Sequence, residues 1–311
     1  MYRFWLVAGS AGLASAAAFL IGVMAGLGGS YAGFMLVYLS PAPLFAAALG
    51  LGGSASIVAA VAGSVPVALA GGLPAGLGYA VVAAAPTAIL GRQAMLSRSN
   101  EEGRIEWYPP GALAGWLCGI GAVTYILLCI LLASQPAGLS GTVREMLTQL
   151  AAWMEVPDDD RELFIGLLHP ILPGTAVAFL MLVQVANGAL AQGLLSAANR
   201  AVRPAPDLGA LELPGWIAIA GAVAALAALV VGGEFEYFAR NLVIIAAVPF
   251  FLQGLSVVHV LARRTGGGAM LLAVFYVTLV VLGWVAIVLV LLGLVEQIIG
   301  LRRRMNTEDK V

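Results

Sequence analysis

The stretch HPILPGTAVAFLMLVQVANGALAQGLLSAANRAVR, residues 169–203, decides how the rest of the chain is read. It is long and apolar enough to cross a bilayer as a helix. It also carries the densest set of uncharged polar side chains at membrane depth: Gln184, Asn187 and Gln192. On a helix Gln184 and Asn187 are three residues apart and share a face, with Gln192 turned about 80° from Gln184. An amide in hydrocarbon must find a partner or lose free energy. This helix is therefore expected to face other helices or a wet cavity rather than lipid. Two readings of the amides stay open: hydrogen-bonding glue across a bundle, or the lining of a binding cavity.

Composition extends the membrane reading to the whole chain. Of its 311 residues 61% are hydrophobic and 10% charged, against about 25% charged in a soluble domain. Mean hydropathy is +1.00. The sequence predicts an all-α, polytopic transmembrane helical bundle in the lipid bilayer, read as a single integral membrane domain over residues 1–311. A net charge of −1 gives no basic footprint for nucleic acid. Cys118 and Cys129 lie in one apolar segment and read as small buried hydrophobes, with no disulfide or metal pattern.

Upstream of the opening stretch, no charged residue occurs between Phe4 and Gly91. Its start imitates a signal peptide, but the apolar stretch is long and continues, so it is read as an uncleaved first span. Length permits four short spans, about 5–26, 33–51, 54–72 and 75–91, divided by Gly- and Pro-rich turns. Pro41 and Pro43 predict a broken or re-entrant start to the second span, tolerable only where protein or water satisfies the freed carbonyls. Gly12 with Ala16, Ala14 with Ala18 and Gly22 with Gly26 have the small-xxx-small spacing that lets helices approach closely. A polar loop from Arg92 to Pro110 ends on Trp107 and Tyr108, as interfacial aromatics do, and a fifth span follows at about 111–133.

Residues 134–163 read as an external loop holding an amphipathic helix. Thr142 and Glu145 fit a capping box, and Val143, Met146, Leu147, Leu150 and Met154 fall on one face, with Trp153 at headgroup level. This helix either lies on the membrane or covers a cavity mouth. Asp158, Asp159 and Asp160 resemble a cation site but read better as a helix start with a solvated acidic loop, so no metal is assigned. The sixth span is placed at about 164–196, irregular near His169, Pro170 and Pro173.

Further on, spans are expected at about 214–232 and 241–262, the latter with Asn241, Pro249, Gln253 and His259 and a kink at Pro249. The run 269–301 would be about 50 Å long as a straight helix, against a crossing of about 30 Å. It is either a tilted helix continuing past the membrane or a hairpin breaking near Gly283 and Trp284. Glu296, near Arg303, reads as a local ion-pair partner. Residues 302–311 read as a cytoplasmic tail. Basic residues mark the cytoplasmic side. Arg3, the 92–104 loop, Arg200 with Arg203, and Arg263 with Arg264 all lie inside if eight to ten crossings are made, with the N-terminus and, given a final hairpin, the C-terminus cytoplasmic.

The chemistry is defined by what the spans lack. No Asp, Glu, Lys or Arg lies mid-span, where proton-coupled transporters and pumps usually carry ionisable groups. There is no phosphate-binding loop, metalloprotease motif or nucleophile elbow. No enzyme and no cofactor is expected. The neutral amides remain, suited to a ligand read by hydrogen bonds.

The run NLVIIAAVPFFLQGLSVVH (241–259), with a basic turn and then LGLVEQIIGLRRR (292–304), resembles the YybS-like family of uncharacterised bacterial membrane proteins. PAPLFAAALGLG (41–52) and VANGALA (185–191) agree with it. That family is in turn similar to the substrate-binding S-components of energy-coupling-factor transporters, small-molecule-binding bundles driven by a partner membrane subunit and two ATPases. The resemblance implies a bacterial inner (cytoplasmic) membrane protein that binds or helps to move a small neutral or weakly polar solute. Its ligand site would then comprise Gln184, Asn187, Asn241 and Gln253, with Ala14 and Ala18 contacting the partner helix. The rival expectation is a non-transporting scaffold for other envelope proteins. The chain departs from well-studied S-components in its greater number of crossings and its long acidic loop.

Overall fold

The computed structural model describes residues 2–302. Nearly all the apolar sequence is helical, as a bilayer requires, because a helix satisfies its backbone within one segment. Within the chain read as one membrane domain, two compact units are distinguished. One comprises the described residues up to Leu113 together with Leu180–Asp207; the other comprises Ala114–Phe179 together with the described residues from Leu208 on.

The first unit opens with α1 (Tyr2–Leu27), α2 (Tyr31–Leu39) and α3 (Pro41–Leu51). The expected re-entrant piece is only a one-residue interruption at Ser40. The stretch Tyr31–Leu51 remains long and apolar enough for one crossing. The next helix, α4 (Gly53–Tyr79), leads through a π-turn (Ala80–Ala84) into α5 (Ala85–Ala94). This 42-residue stretch is a hairpin, as the two short spans predicted. Gly72, at φ 80° and ψ 172°, leaves helical geometry. Ser56 Oγ then lies 3.2 Å from the Ala88 carbonyl oxygen, a pair that a straight helix would hold about 48 Å apart. A methyl group on Gly76 would stand 2.5 Å from Ala68 Cβ.

Alanine dominates this unit's core, with Ala8, Ala16, Ala55, Ala59 and Ala83 packed around Tyr79, Leu44 and Val67. Lipid is as apolar as such a core, so close approach and dispersion replace the hydrophobic effect. Gly12 and Ala16 pack inward, Gly12 against Ala59 and Gly63. Gly22 and Gly26 meet Gly33, Phe34 and Val37 of α2. Ala14 is exposed and Ala18 half-buried on the outward face of α1. Past α5, the polar loop forms a short antiparallel hairpin that the sequence reading missed, β1 (Ser97–Ser99) with β2 (Ile105–Trp107). Asn100 Oδ1 accepts the Glu102 and Arg104 amides in its turn.

α6 (Pro110–Ala133) lies mostly in the second unit. It is followed by α7 (Gly138–Trp153), α8 (Asp158–Leu168) and α9 (Leu172–Ala197), which runs back into the first unit. The sixth span thus starts at Leu172, not 164, because His169 and Pro170 separate α8 from α9. The capping box does not form: α7 begins four residues earlier, and Thr142 Oγ1 donates to the Gly138 carbonyl instead. The three aspartates occupy the first turn of α8, where negative charge suits the helix dipole.

Then come α10 (Gly215–Val230), α11 (Glu234–Arg263), α12 (Gly268–Val281) and α13 (Val285–Ile299). α11 continues through Pro249 as one helix. Of the two alternatives left open for the final run, the continuous helix is not formed: α12 and α13 are bent by 118° across Leu282–Trp284. Among the described residues, length and hydropathy qualify six helical stretches for crossing, or seven if the bent pair counts as one. One of the six is the hairpin at Gly72; counted as two crossings, with the bent pair as one, it brings the number to eight, within the eight to ten expected. α10 has only 16 residues against the usual 20 or so, and α12 has 14. Apart from Arg302, the predicted tail lies outside the described residues.

Candidate functional site

The amides that drew attention in the sequence are all buried, but they fall into separate clusters. Gln184, Asn187 and Gln192 belong to the first unit, Asn241 and Gln253 to the second.

In the first unit, α9 places Gln184 and Asn187 against the two proline-interrupted segments. In an α-helix the Val82 carbonyl would bond to the N–H of residue 86, but Pro86 has none, and the backbone widens into the π-turn there. Gln184 Nε2 donates to the Val82 carbonyl at 2.8 Å, while its Oε1 accepts from Thr87 Oγ1 at 3.0 Å. Asn187 Nδ2 donates to the Tyr38 carbonyl at 2.7 Å, beside the Ser40 interruption, and to Val183 on its own helix.

Pro41 and Pro43 disturb the same stretch. Ser40 Oγ donates to the Val37 carbonyl, and Ser15 Oγ of α1 donates to the Ser40 carbonyl. Ser15 has one hydroxyl hydrogen, so it accepts from Tyr79, whose oxygen lies 2.6 Å away. The carbonyls of Val37, Tyr38 and Ser40 are thus satisfied by neighbouring protein, which is what an irregular backbone at membrane depth requires. One group remains over: Asn187 Oδ1, on a side chain 3% exposed, has no hydrogen-bond partner among the described residues.

At one end of this unit, Gln192 Nε2 donates to the Arg203 carbonyl at 2.9 Å. Arg203 is buried and donates to the carbonyls of Ala94 and Tyr108, with its guanidinium 6.0 Å from the Trp107 ring centre. Burial pulls its pKa below the usual arginine value. The C-terminal carbonyls of α5 supply partial negative charge in place of a carboxylate. The sequence marked Arg203 only as a topology signal. Nothing in its spacing announces that it ties the end of α9 to the end of α5.

In the second unit Asn241 is fully engaged. Its Oδ1 accepts the Gly174 amide at 2.7 Å, serving as a cap for α9 supplied by α11. Its Nδ2 donates to the carbonyls of Tyr237 and Pro170. Nearby, His169 Nε2 lies 3.0 Å from the Ser140 carbonyl and 3.2 Å from Ser140 Oγ. A ring nitrogen donating to a carbonyl carries its proton and has no lone pair to accept one from Ser140, so this pair is a tie between helices.

Gln253 sits at another place in this unit. It donates to Gln297 Oε1, and Gln297 donates to the Leu213 carbonyl. Gln253 Oε1 is buried without a partner among the described residues. One turn further along α11, Ser256 joins a buried ion pair. Glu296 pairs with Arg302 at 2.7 Å; Arg303, beside which the sequence placed it, lies outside the described residues. The remaining nitrogens of Arg302 hold Ser256 Oγ and the carbonyls of Gly209 and Leu211.

These features define a polytopic α-helical membrane protein whose buried polar groups, among the described residues, are neutral amides and hydroxyls except at the arginine clasps. Residues 16–296 match the profile of a family of predicted membrane proteins, DUF2232, and the chain belongs to that family. Neither the curated proteins nor the solved structures contain a match to it.

Proposed function

We propose that the protein binds a small neutral or weakly polar solute and helps to move it across the bacterial cytoplasmic membrane, as the substrate-binding subunit of a transporter does. The observation that carries this reading is Asn187 Oδ1, a buried acceptor without a partner where two proline-interrupted segments meet an amide-bearing helix. Interrupted helices at membrane depth are where secondary transporters place their substrates. A donor O–H or N–H on the solute would complete the Asn187 amide, with Gln184 beside it, and Gln253 offers a second such acceptor. Asn241 contributes by fixing the start of α9. The proposal requires no covalent chemistry and no cofactor, and takes its energy from a partner membrane subunit with ATPases. Ala14 and Ala18, on the outward face of α1, are the proposed contact for that subunit. Both termini are assigned to the cytoplasmic side on the basic-residue rule.

A second reading is favoured by a different observation. Both hydrogens of Asn187 and one of Gln184 are spent on carbonyls, and one of Gln253 on Gln297, as structural glue would have it. The chain is then a scaffold for other envelope proteins. Native mass spectrometry of the protein extracted from its own membranes in mild detergent separates the two. The transport reading expects a stoichiometric small molecule or co-purifying ATPases, with the small molecule lost from Asn187→Leu. A bare wild-type protein, or binding unchanged in Asn187→Leu, rejects this site.

A further inference from the structure

We propose that α7 is an interfacial helix whose exposed apolar stripe lies in the headgroup–acyl boundary of the bilayer, on the side where α6 ends and α9 begins. The inference rests on the faces of this helix and is independent of the solute reading.

The sequence pattern puts Val143, Met146, Leu147, Leu150 and Met154 on one apolar face. The structure divides that face in two. Leu139, Val143, Leu147 and Ala151 are buried, with Val143 and Leu147 packed on Ile165 of α8 and on Leu132 and Leu172. Met146, Leu150, Trp153 and Met154 are 54%, 38%, 74% and 53% exposed. At 100° per residue from Val143, the buried stripe spans about −40° to 80°. Met146, Leu150 and Trp153 span about −80° to −20°, and Arg144, Glu145, Thr148 and Gln149 about 100° to 240°. The helix thus has a protein face, an adjoining apolar face and a charged face opposite both.

Three observations commit the apolar face to lipid. α6 ends at Ala133 and α7 starts at Gly138. Four linking residues reach about 14 Å at most, so α7 stays at the membrane surface where its span ends. α8 likewise passes into α9 within three residues. The roll of the helix is also fixed: its buried stripe is clamped on α8, Arg144 pairs with Glu162 at 2.7 Å, and Ser140 is tied to His169 and Glu234. A helix with this division, bearing Trp on its apolar side, settles in the plane of the interface with its charges toward water.

The full-length protein, reconstituted in phosphatidylcholine liposomes, is spin-labelled at single cysteines placed at Leu150 and Gln149 in a Cys118→Ala, Cys129→Ala background. The label at 150 should collide with oxygen in preference to a water-soluble nickel chelate, with a ratio several-fold higher than at 149. A wild-type protein needing no cysteine change gives a second measurement: brominated lipid should quench a fluorescence component that Trp153→Phe removes. Equal, water-like accessibility at both labels with no quenchable Trp153 component overturns the proposal. So does a label at 150 shielded from both reagents, which would mean a protein cover.

Discussion

Removing Arg302 tests a buried ion pair. Glu296 and Arg302 are each 5% exposed, and the backbone explains how they meet. Gly300 ends α13 in the left-handed region at φ 67°, a C-cap that glycine tolerates. The chain therefore doubles back, and Arg302 Nε reaches Glu296 Oε1 at 2.7 Å while its amide reaches Oε2 at 3.2 Å. Arg302→Met leaves the carboxylate buried without a counter-charge, which costs about 3–5 kcal/mol. The carbonyls of Gly209 and Leu211 lose donors too, and since Leu211 is buried its loss adds to the charge term. Glu296→Leu should cost less, because Arg302 keeps Ser256 and both carbonyls. The double variant should be more stable than Arg302→Met alone, since no charge is stranded. Unfolding in mixed micelles with rising dodecyl sulfate measures all four proteins. A loss under about 1 kcal/mol for Arg302→Met, as for a surface pair, or additive losses in the double variant, refutes the reasoning.

Two glycine substitutions test the packing. Gly254 and Gly293 lie where α11 and α13 cross, and a methyl group would stand 2.0 Å from the Leu289 carbonyl oxygen or 1.9 Å from that of Phe250. Backbone cannot yield as a side chain can, so Gly293→Ala should lose about 1–3 kcal/mol or more, despite the roughly 1 kcal/mol that alanine contributes within a helix. A neutral or stabilised variant in the same titration would show that the helices do not approach so closely. Gly72→Ala forces a side chain into a backbone region open essentially to glycine alone, at a cost of about 1–3 kcal/mol. Gly78→Ala, with open space around it, serves as the control and should be neutral or slightly stabilised. Equal behaviour of the two would deny the hairpin turn.

How much was legible follows from which physical rule acts locally. The hairpin at Gly72 could be read because two apolar runs of crossing length flank GGLPAG; the excess length of the final run marked Gly283 as the place for a break but left a tilted continuous helix equally open. The short hairpin at residues 97–107 was missed, since its strands are three residues each and exposed, leaving no alternation to detect. The fate of α7 was half legible: periodicity found the apolar face, but only the position of Ile165 says which part of it is covered. Arg203 and Arg302 were illegible as clasps, because a charge at a span end is equally consistent with a solvated loop.

The amides of α9 are the instructive case. Their burial follows from polarity in an apolar helix, and their partners were in principle readable from the prolines. Pro86 removes the α-helical donor for Val82, and Pro41 and Pro43 disturb the carbonyls around Tyr38. Those are the two regions that Gln184 and Asn187 reach. What spacing cannot supply is which distant amide meets which interrupted helix, a question of topology. Carbonyl satisfaction accounts for both amide nitrogens and, through Thr87, for Gln184 Oε1. It does not account for Asn187 Oδ1. A leucine or methionine in its place would strand the Tyr38 carbonyl, whereas a serine hydroxyl is too short to span the same gap. Asparagine is thus suited to the structural task yet brings an acceptor that the task does not use. That surplus separates the two functional readings: bound solute makes it the recognition group, and a bare protein leaves it as the cost of supporting a broken helix.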